Sequence, residues 1–200
     1  LCARDLWPLL SWACARGRCR HCQAKVHWRY PAIEIITALT FVAVYARYGI
    51  SWQALVLMTL SVMLLIMIVA DFEHYIIPDE VHIVLLPLAF VHHYVLNTTP
   101  WFQPLLGALA GLALGLLLHR GYRRLRGKEV LGFGDVKFLG VAGAWLGLQN
   151  FAPFLFYGGA LGVLTGFAWR ALKRGALFPF GPALAMALFL CVAFPETTEA

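Results

Sequence analysis

Seven apolar segments, most of them long enough to cross a lipid bilayer, follow one another along the chain. They are residues 32–48, 53–70, 81–96, 103–119, 131–149, 152–170 and 177–194. A transmembrane helix needs roughly 20 mostly apolar residues, because its backbone polar groups must be satisfied inside the lipid. Only 13% of the 200 residues are charged, compared with about 25% in an ordinary soluble domain. The sequence therefore predicts an all-α, polytopic bundle of about seven transmembrane helices in a lipid bilayer, with no nucleic-acid partner.

Positively charged residues are distributed unevenly between the loops that join these segments. If residues 1–31 face the cytoplasm, all but two of the 16 Lys and Arg residues lie on that side. The exceptions are Arg47, on the opposite face, and Lys137, just inside the fifth segment. Cytoplasmic loops of membrane proteins carry the excess of Lys and Arg, which supports this orientation. We predict a cytoplasmic basic segment over residues 1–31 and a membrane-embedded domain over residues 32–200.

Two aspartates lie at the ends of apolar segments, where an ionisable side chain is costly and often functional. Asp71 follows the second segment and Asp135 lies near the start of the fifth, so both are expected near the cytoplasmic surface. Two carboxyl groups at one depth are typical of an aspartyl dyad, in which repulsion keeps one group protonated. The ionised group then takes a proton from water, and the protonated group polarises a scissile carbonyl. Gly132 and Gly134 would let a substrate backbone approach Asp135 closely.

Sequence alone leaves other interpretations of these acidic residues open. The four acids between residues 71 and 80 are also compatible with a solvated loop, and Asp135 with an ion pair to Lys137 or a helix cap. One alternative function is a transporter that uses Asp71 and Asp135 as a proton relay. No inverted repeat relates the two halves of the chain, although many transporters show one. Another alternative is a non-catalytic membrane scaffold in which both aspartates are structural.

Glycines recur at every fourth residue in two of the apolar segments. They are Gly107, Gly111, Gly115, Gly158, Gly162 and Gly166. Small residues at this spacing allow helices to approach each other closely in lipid, where no hydrophobic effect drives them together. The pattern predicts two close helix contacts.

Six short motifs, which occur in order along essentially the whole chain, resemble those of the type IV prepilin peptidases. Two of them contain the aspartates: DFEHYIIPDEV at 71–81, and KEVLGFGDVKFLG at 128–140, which is similar to the family's GxGD motif. The other four are PLLSW at 8–12, RGRCRHC at 16–22, YPAIE at 30–34 and FGPALA at 180–185. The GxGD pattern alone is weak, whereas six ordered motifs are highly specific.

The resemblance implies a polytopic aspartyl protease of the bacterial inner membrane. Such enzymes cut the basic leader from type IV prepilins or type II secretion pseudopilins at the cytoplasmic face, and their peptidase reaction needs no cofactor. The resemblance implies that Asp71 and Asp135 are the catalytic pair of this chain. We expect the remaining residues of these motifs to support the pair or contact the substrate: Asp79, Gly132, Gly134, Lys137, Glu73, Glu80 and Glu129.

The cysteines depart from the pattern of full-length relatives. Those relatives carry two C-x-x-C pairs, which together have the spacing of a tetrahedral zinc site, whereas this chain shows only Cys19 and Cys22. The pair is an incomplete candidate metal site, and reduced, structurally idle thiols are the alternative on a cytoplasmic face. We expect the chain to lack the first transmembrane span and the first pair. Many family members also N-methylate the new N-terminus with S-adenosylmethionine, which leaves methylation an open expectation here.

Overall fold

A computed structural model describes residues 7, 9–96, 100–126, 131–172 and 178–194. Over these ranges the chain forms eight helices: α1 (Leu10–Cys14), α2 (Arg29–Tyr48), α3 (Trp52–His74), α4 (Asp79–Leu96), α5 (Gln103–Arg126), α6 (Phe133–Leu146), α7 (Phe151–Ala171) and α8 (Gly181–Ala193). Within the described ranges, extended pairing is limited to an isolated antiparallel bridge between Arg18 and Lys25. The prediction of an all-α bundle is confirmed.

Each of the seven predicted apolar segments forms a helix, but two of these helices are too short to cross a bilayer alone. By length and composition α2, α3, α4, α5 and α7 are candidate spans, five in the described part of the chain. In contrast, α6 has 14 residues and α8 has 13, shorter than the predicted runs of 131–149 and 177–194. Among the described residues, five helices are therefore long enough to span a bilayer, where the sequence predicted about seven.

Protein surrounds most of the surface of the two short helices. Ten residues of α6 are buried, as are ten residues of α8. Helix α6 packs on α4 and α5, and α8 packs on α3 and α7. Apolar helices of this length are typical of a buried core. Helix α6 ends at Gly147, whose φ of +66° lies in the left-handed region that favours glycine.

The chain divides into two compact units, Leu1–Gly49 and Ile50–Ala200. The first contains α1 and α2, and the indole N–H of Trp12 donates to the Val26 carbonyl at 3.3 Å within it. The second contains α3 to α8 and both predicted catalytic aspartates. This division follows the end of α2, whereas the functional boundary predicted after residue 31 stays a prediction.

Helices α3 and α4 are longer than their apolar segments. Helix α3 begins after Ser51, whose hydroxyl accepts the Ala54 N–H at 3.1 Å, and such a cap satisfies one of the free N–H groups at a helix start. It continues past residue 70 to His74. Pro87, which interrupts the third predicted segment, lies inside a continuous α4, as is tolerated in membrane helices when neighbouring groups satisfy the freed carbonyl.

The first glycine row forms the predicted close contact, between α5 and α6. A methyl group at Gly107 would overlap the carbonyl of Gly143, and one at Gly111 would overlap the carbonyl of Leu139. A methyl group at Gly115 would lie 3.1 Å from the Val136 Cα. The two backbones therefore touch over two turns, and this contact fixes α6, the helix that carries Asp135.

Candidate active site

Asp71 lies in the last turn of α3 with only 6% of its surface exposed. Its Oδ2 accepts a hydrogen bond from the backbone N–H of Gly181 at 2.8 Å. Gly181 is the first residue of α8, where N–H groups have no partner inside the helix. A methyl group at position 181 would lie 2.7 Å from this same Oδ2. The contact between α8 and Asp71 therefore requires glycine.

The second glycine row positions the start of α8. A methyl group at Gly158 would lie 3.3 Å from Leu184, and one at Gly162 would overlap the ring of Phe180. Gly166 likewise faces Phe178, at 3.7 Å from the methyl position. The predicted close contact is therefore made between α7 and residues 178–184. It places the N-terminus of α8 against Asp71.

Asp135 lies in the first turn of α6, close enough to Asp71 for the two charges to interact. The backbone N–H of Gly132, the residue before α6, donates to the Asp135 carboxyl group. A methyl group at Gly132 would lie 3.2 Å from Asp135 Oδ2. Asp135 thus reaches back to the start of its own helix, as acids do at this position of a capping box. It makes a helix-cap contact while its charge interacts with that of Asp71.

Lys137 forms its ion pair with Asp79 and not with Asp135. The Lys137 Nζ lies 2.7 Å from Asp79 Oδ1, and the Asp79 side chain is 67% exposed. Asp79 is the first residue of α4, so the pair joins the two aspartate-containing motifs. The alternative prediction of an ion pair between Asp135 and Lys137 is therefore wrong. Asp79 is exposed and paired with a cation, which favours Asp71 over Asp79 as the partner of Asp135.

The segment between α3 and α4 packs on the first turn of α6, beside Gly134, the residue before Asp135. A methyl group at Gly134 would lie 3.1 Å from the Cβ of Ile77. His82, only 9% exposed, lies with its Nε2 3.3 Å from the Gly134 carbonyl oxygen. The sequence offers no signal for this contact between His82 and the start of α6.

The remaining predicted acids are near the pair in sequence but differ in what the structure shows. Glu73 lies 3.8 Å from the neighbouring His74 Nε2, with 31% of its side chain exposed. Glu80 is exposed at the start of α4. Glu129 lies outside the described residues. Their expected contact with substrate stays a prediction.

Cys19 and Cys22 lie in a tight turn of the N-terminal unit. The Cys19 N–H donates to the Ala24 carbonyl at 2.8 Å, and the Gln23 N–H donates to the Cys19 carbonyl at 2.9 Å. Backbone N–H groups of Cys22 and His21 donate to the Cys19 sulfur and lower the pKa of its thiol. Among the described residues, no group of three or more His, Cys, Asp or Glu side chains is arranged to hold a metal. The described residues of this turn therefore do not fit a tetrahedral zinc site, which needs four ligands.

Two family models match the chain. Residues 58–167, which include both aspartates, match the type IV leader peptidase family. Residues 1–48 match the bacterial peptidase A24 N-terminal domain. The second match ends at residue 48, one residue before the first compact unit ends at Gly49.

Several curated relatives are similar to almost the whole chain, and each is called a prepilin leader peptidase/N-methyltransferase. The relative from Aeromonas hydrophila is 33% identical over 95% of this chain and 67% of its own length. The relative from Neisseria gonorrhoeae is 34% identical over 88% of this chain and 62% of its own length. The relative from Pectobacterium carotovorum is 33% identical over 93% of this chain and 68% of its own length.

The chain thus spans about two thirds of the length of these relatives. No solved structure matched the chain significantly. The transporter alternative finds no support in these comparisons, and the expected peptidase does. On the match of residues 58–167 and on these relatives, the chain belongs to the type IV leader peptidase family.

Proposed function

We propose that this chain is an aspartyl endopeptidase whose Asp71 and Asp135 cleave the leader from type IV prepilins or type II secretion pseudopilins. The observation that carries the proposal is that two carboxyl groups on different helices, α3 and α6, interact through their charges, with Asp71 buried against the start of α8. Prepilin leader cleavage is the activity in the names of the relatives. Asp79, with its cation partner, supports the pair.

The chemistry needs one shared proton between the two carboxyl groups. Two close carboxylates repel, so the working form of the pair carries a single negative charge. The ionised group removes a proton from water as the water oxygen bonds to the scissile carbonyl carbon. The protonated group gives its proton to the carbonyl oxygen. When the C–N bond then breaks, the group that now holds the proton gives it to the leaving nitrogen. One hydroxyl of the tetrahedral intermediate passes its proton to the other carboxylate as the carbonyl re-forms, so the pair again holds one proton.

We further propose that this multi-pass protein lies in the bacterial inner membrane with the pair at the cytoplasmic side. Asp71 lies in the last turn of α3 and Asp135 in the first turn of α6. The end of α5, just before α6, carries Arg120, Arg123 and Arg124. Because cytoplasmic loops carry the positive charge, this end of the bundle is assigned to the cytoplasm.

A basic leader would reach the pair along the membrane surface. Anionic lipid attracts a basic segment by about 1 kcal/mol per charge, whereas the basic loops of this chain repel it. We therefore propose that nearby acidic residues bind the basic leader: Glu73, Glu80 and Glu129. Asp79 is less suited to this role, because Lys137 neutralises its charge. Gly132 and Gly134 are proposed to leave room for the substrate backbone beside Asp135.

N-methylation of the new N-terminus is a second candidate activity. It is favoured by the match of residues 1–48 to the N-terminal domain and by the methyltransferase in the relatives' names. S-adenosylmethionine would supply the methyl group.

The direct test is cleavage of a purified prepilin by this chain in detergent. N-terminal sequencing of the product should show a single cut between leader and mature pilin, and Asp71→Asn should remove the product. Mass spectrometry with and without S-adenosylmethionine then shows whether one methyl group is added. An intact prepilin after incubation with well-folded wild-type protein would reject the peptidase proposal.

A further inference from the structure

His82 links the segment between α3 and α4 to α6. It does so by a contact with the backbone of α6, and not by a contact with Asp71 or Asp135. It lies in the first turns of α4, three residues after Asp79, and its residue surface is 9% exposed. Its Nε2 faces the Gly134 carbonyl oxygen at 3.3 Å. A ring nitrogen at this distance from a carbonyl oxygen donates a hydrogen bond, so Nε2 carries a proton.

The other surroundings of His82 enclose its ring, although its Nδ1 has no hydrogen-bond partner among the described residues. Its Nδ1 lies 4.0 Å from Asp79 Oδ1, and the ring lies close to the Pro78 carbonyl. Phe138 of α6 packs edge-on against the ring, at 6.4 Å between centroids. The imidazole is thus enclosed by the α3–α4 segment on one side and by α6 on the other.

The Gly134 carbonyl belongs to the residue immediately before Asp135. Gly134 has no side chain, and Ile77 closes its other side, 3.1 Å from the methyl position. Gly134 is the second residue of α6, in the first turn, whose N–H groups have no partner inside the helix, and a shift of this turn would redirect the Asp135 carboxyl group. The hydrogen bond from His82 is suited to prevent this.

We propose that His82 is a positioning residue, which holds the Gly134 carbonyl and thereby keeps Asp135 directed toward Asp71. This inference rests on the proposed function of the two aspartates. His82 does not touch the reacting atoms. It acts on the orientation of Asp135, and a catalytic group displaced by about 1 Å can cost about 100-fold in rate.

The test compares three substitutions at this position in the full chain, with prepilin cleavage as the readout. His82→Leu removes the donor, and kcat should fall about 100-fold with KM nearly unchanged, because substrate contacts are untouched. His82→Gln places an amide N–H near the position of Nε2 and should restore kcat to within a fewfold of wild type. His82→Asn places its amide near the position of Nδ1, too short to reach Gly134, and should resemble His82→Leu.

His92→Leu is the matched control, because His92 is a buried histidine of the same helix that packs on Trp145. It should change thermal stability without a comparable loss of kcat. Equal kcat in wild type and His82→Leu would overturn the inference, as would failure of Gln to exceed Asn. Both outcomes differ from failure of the proposed function, in which the wild-type chain itself does not cleave prepilin.

Discussion

At the scale of single residues, Gly181 is the contact through which α8 reaches a predicted catalytic group. Its N–H binds Asp71 Oδ2 at 2.8 Å, and a side chain at this position would displace that oxygen. We expect Gly181→Ala to lower kcat for leader cleavage by about 100-fold, as misplaced catalytic groups do.

The control for Gly181 is Gly159→Ala on α7, where a methyl group would meet nothing within 4 Å. This variant should cleave at the wild-type rate. Steady-state cleavage assays on both proteins compare them directly, and an active Gly181→Ala would show that Asp71 does not depend on the contact.

The Cys19 thiol gives a pH-dependent prediction outside the membrane-spanning helices. Backbone N–H groups of Cys22 and His21 stabilise its thiolate and lower its pKa. The reactive thiolate therefore forms at lower pH than in a free cysteine, whose pKa is about 8.5. The rate of iodoacetamide labelling at Cys19, followed by peptide mass spectrometry, should rise to half its maximum below the pH at which a cysteine peptide does. Coincident pH profiles would show that the turn does not stabilise the thiolate.

The sequence could predict the aspartates but not their backbone partners. Asp71 and Asp135 stand out because charge is costly beside long apolar runs. The FGPALA motif was identified, yet nothing in its letters shows that the N–H of Gly181 lies against a residue 110 positions earlier. His82 was equally hidden, because a histidine near a helix start has many structural uses.

At the scale of helices, the contact between α5 and α6 is expected to govern stability. A methyl group at Gly143 would overlap the carbonyl of Gly107. Gly143→Ala should therefore destabilise the protein by about 1–3 kcal/mol, the usual cost of overpacking, and lower its unfolding temperature in detergent.

Gly121→Ala provides the comparison on α5, because a methyl group there meets nothing within 4 Å. Alanine favours a helix over glycine by up to about 1 kcal/mol, so this variant should be no less stable than wild type. Equal unfolding temperatures for Gly143→Ala and wild type would mean that the two backbones are not in contact.

Helix positions followed well from hydropathy, whereas helix lengths did not. Both glycine rows were correctly interpreted as packing faces, because their spacing has few other uses in a membrane helix. Hydropathy does not distinguish a span exposed to lipid from a short helix enclosed by protein. The runs at 131–149 and 177–194 therefore seemed to be spans, although α6 and α8 are short and buried.

At the scale of the whole molecule, recognition of a basic leader is expected to depend on local acids and not on the net charge of +6. Replacing Glu73, Glu80 and Glu129 together by Gln should raise KM for a basic-leader prepilin about tenfold at low ionic strength. This corresponds to about 0.5 kcal/mol for each charge. Added salt should reduce the difference, because it screens exposed charges.

A prepilin with a neutral leader is the control substrate, and its KM should hardly change in the triple variant. Equal increases in KM for both substrates would assign these acids to the fold or to the chemistry. The assay uses steady-state cleavage of the two prepilins at two ionic strengths.

The central claim is that Asp71 and Asp135 act as one catalytic unit, and kcat of the single and double Asn variants tests it most directly. Asn keeps the size of the side chain, so each variant should insert and fold. We predict that Asp71→Asn and Asp135→Asn each lower kcat by at least about 1,000-fold and that the double variant is no worse than the single ones, because residues acting as a unit are non-additive. Near-wild-type cleavage by either single variant would contradict the account.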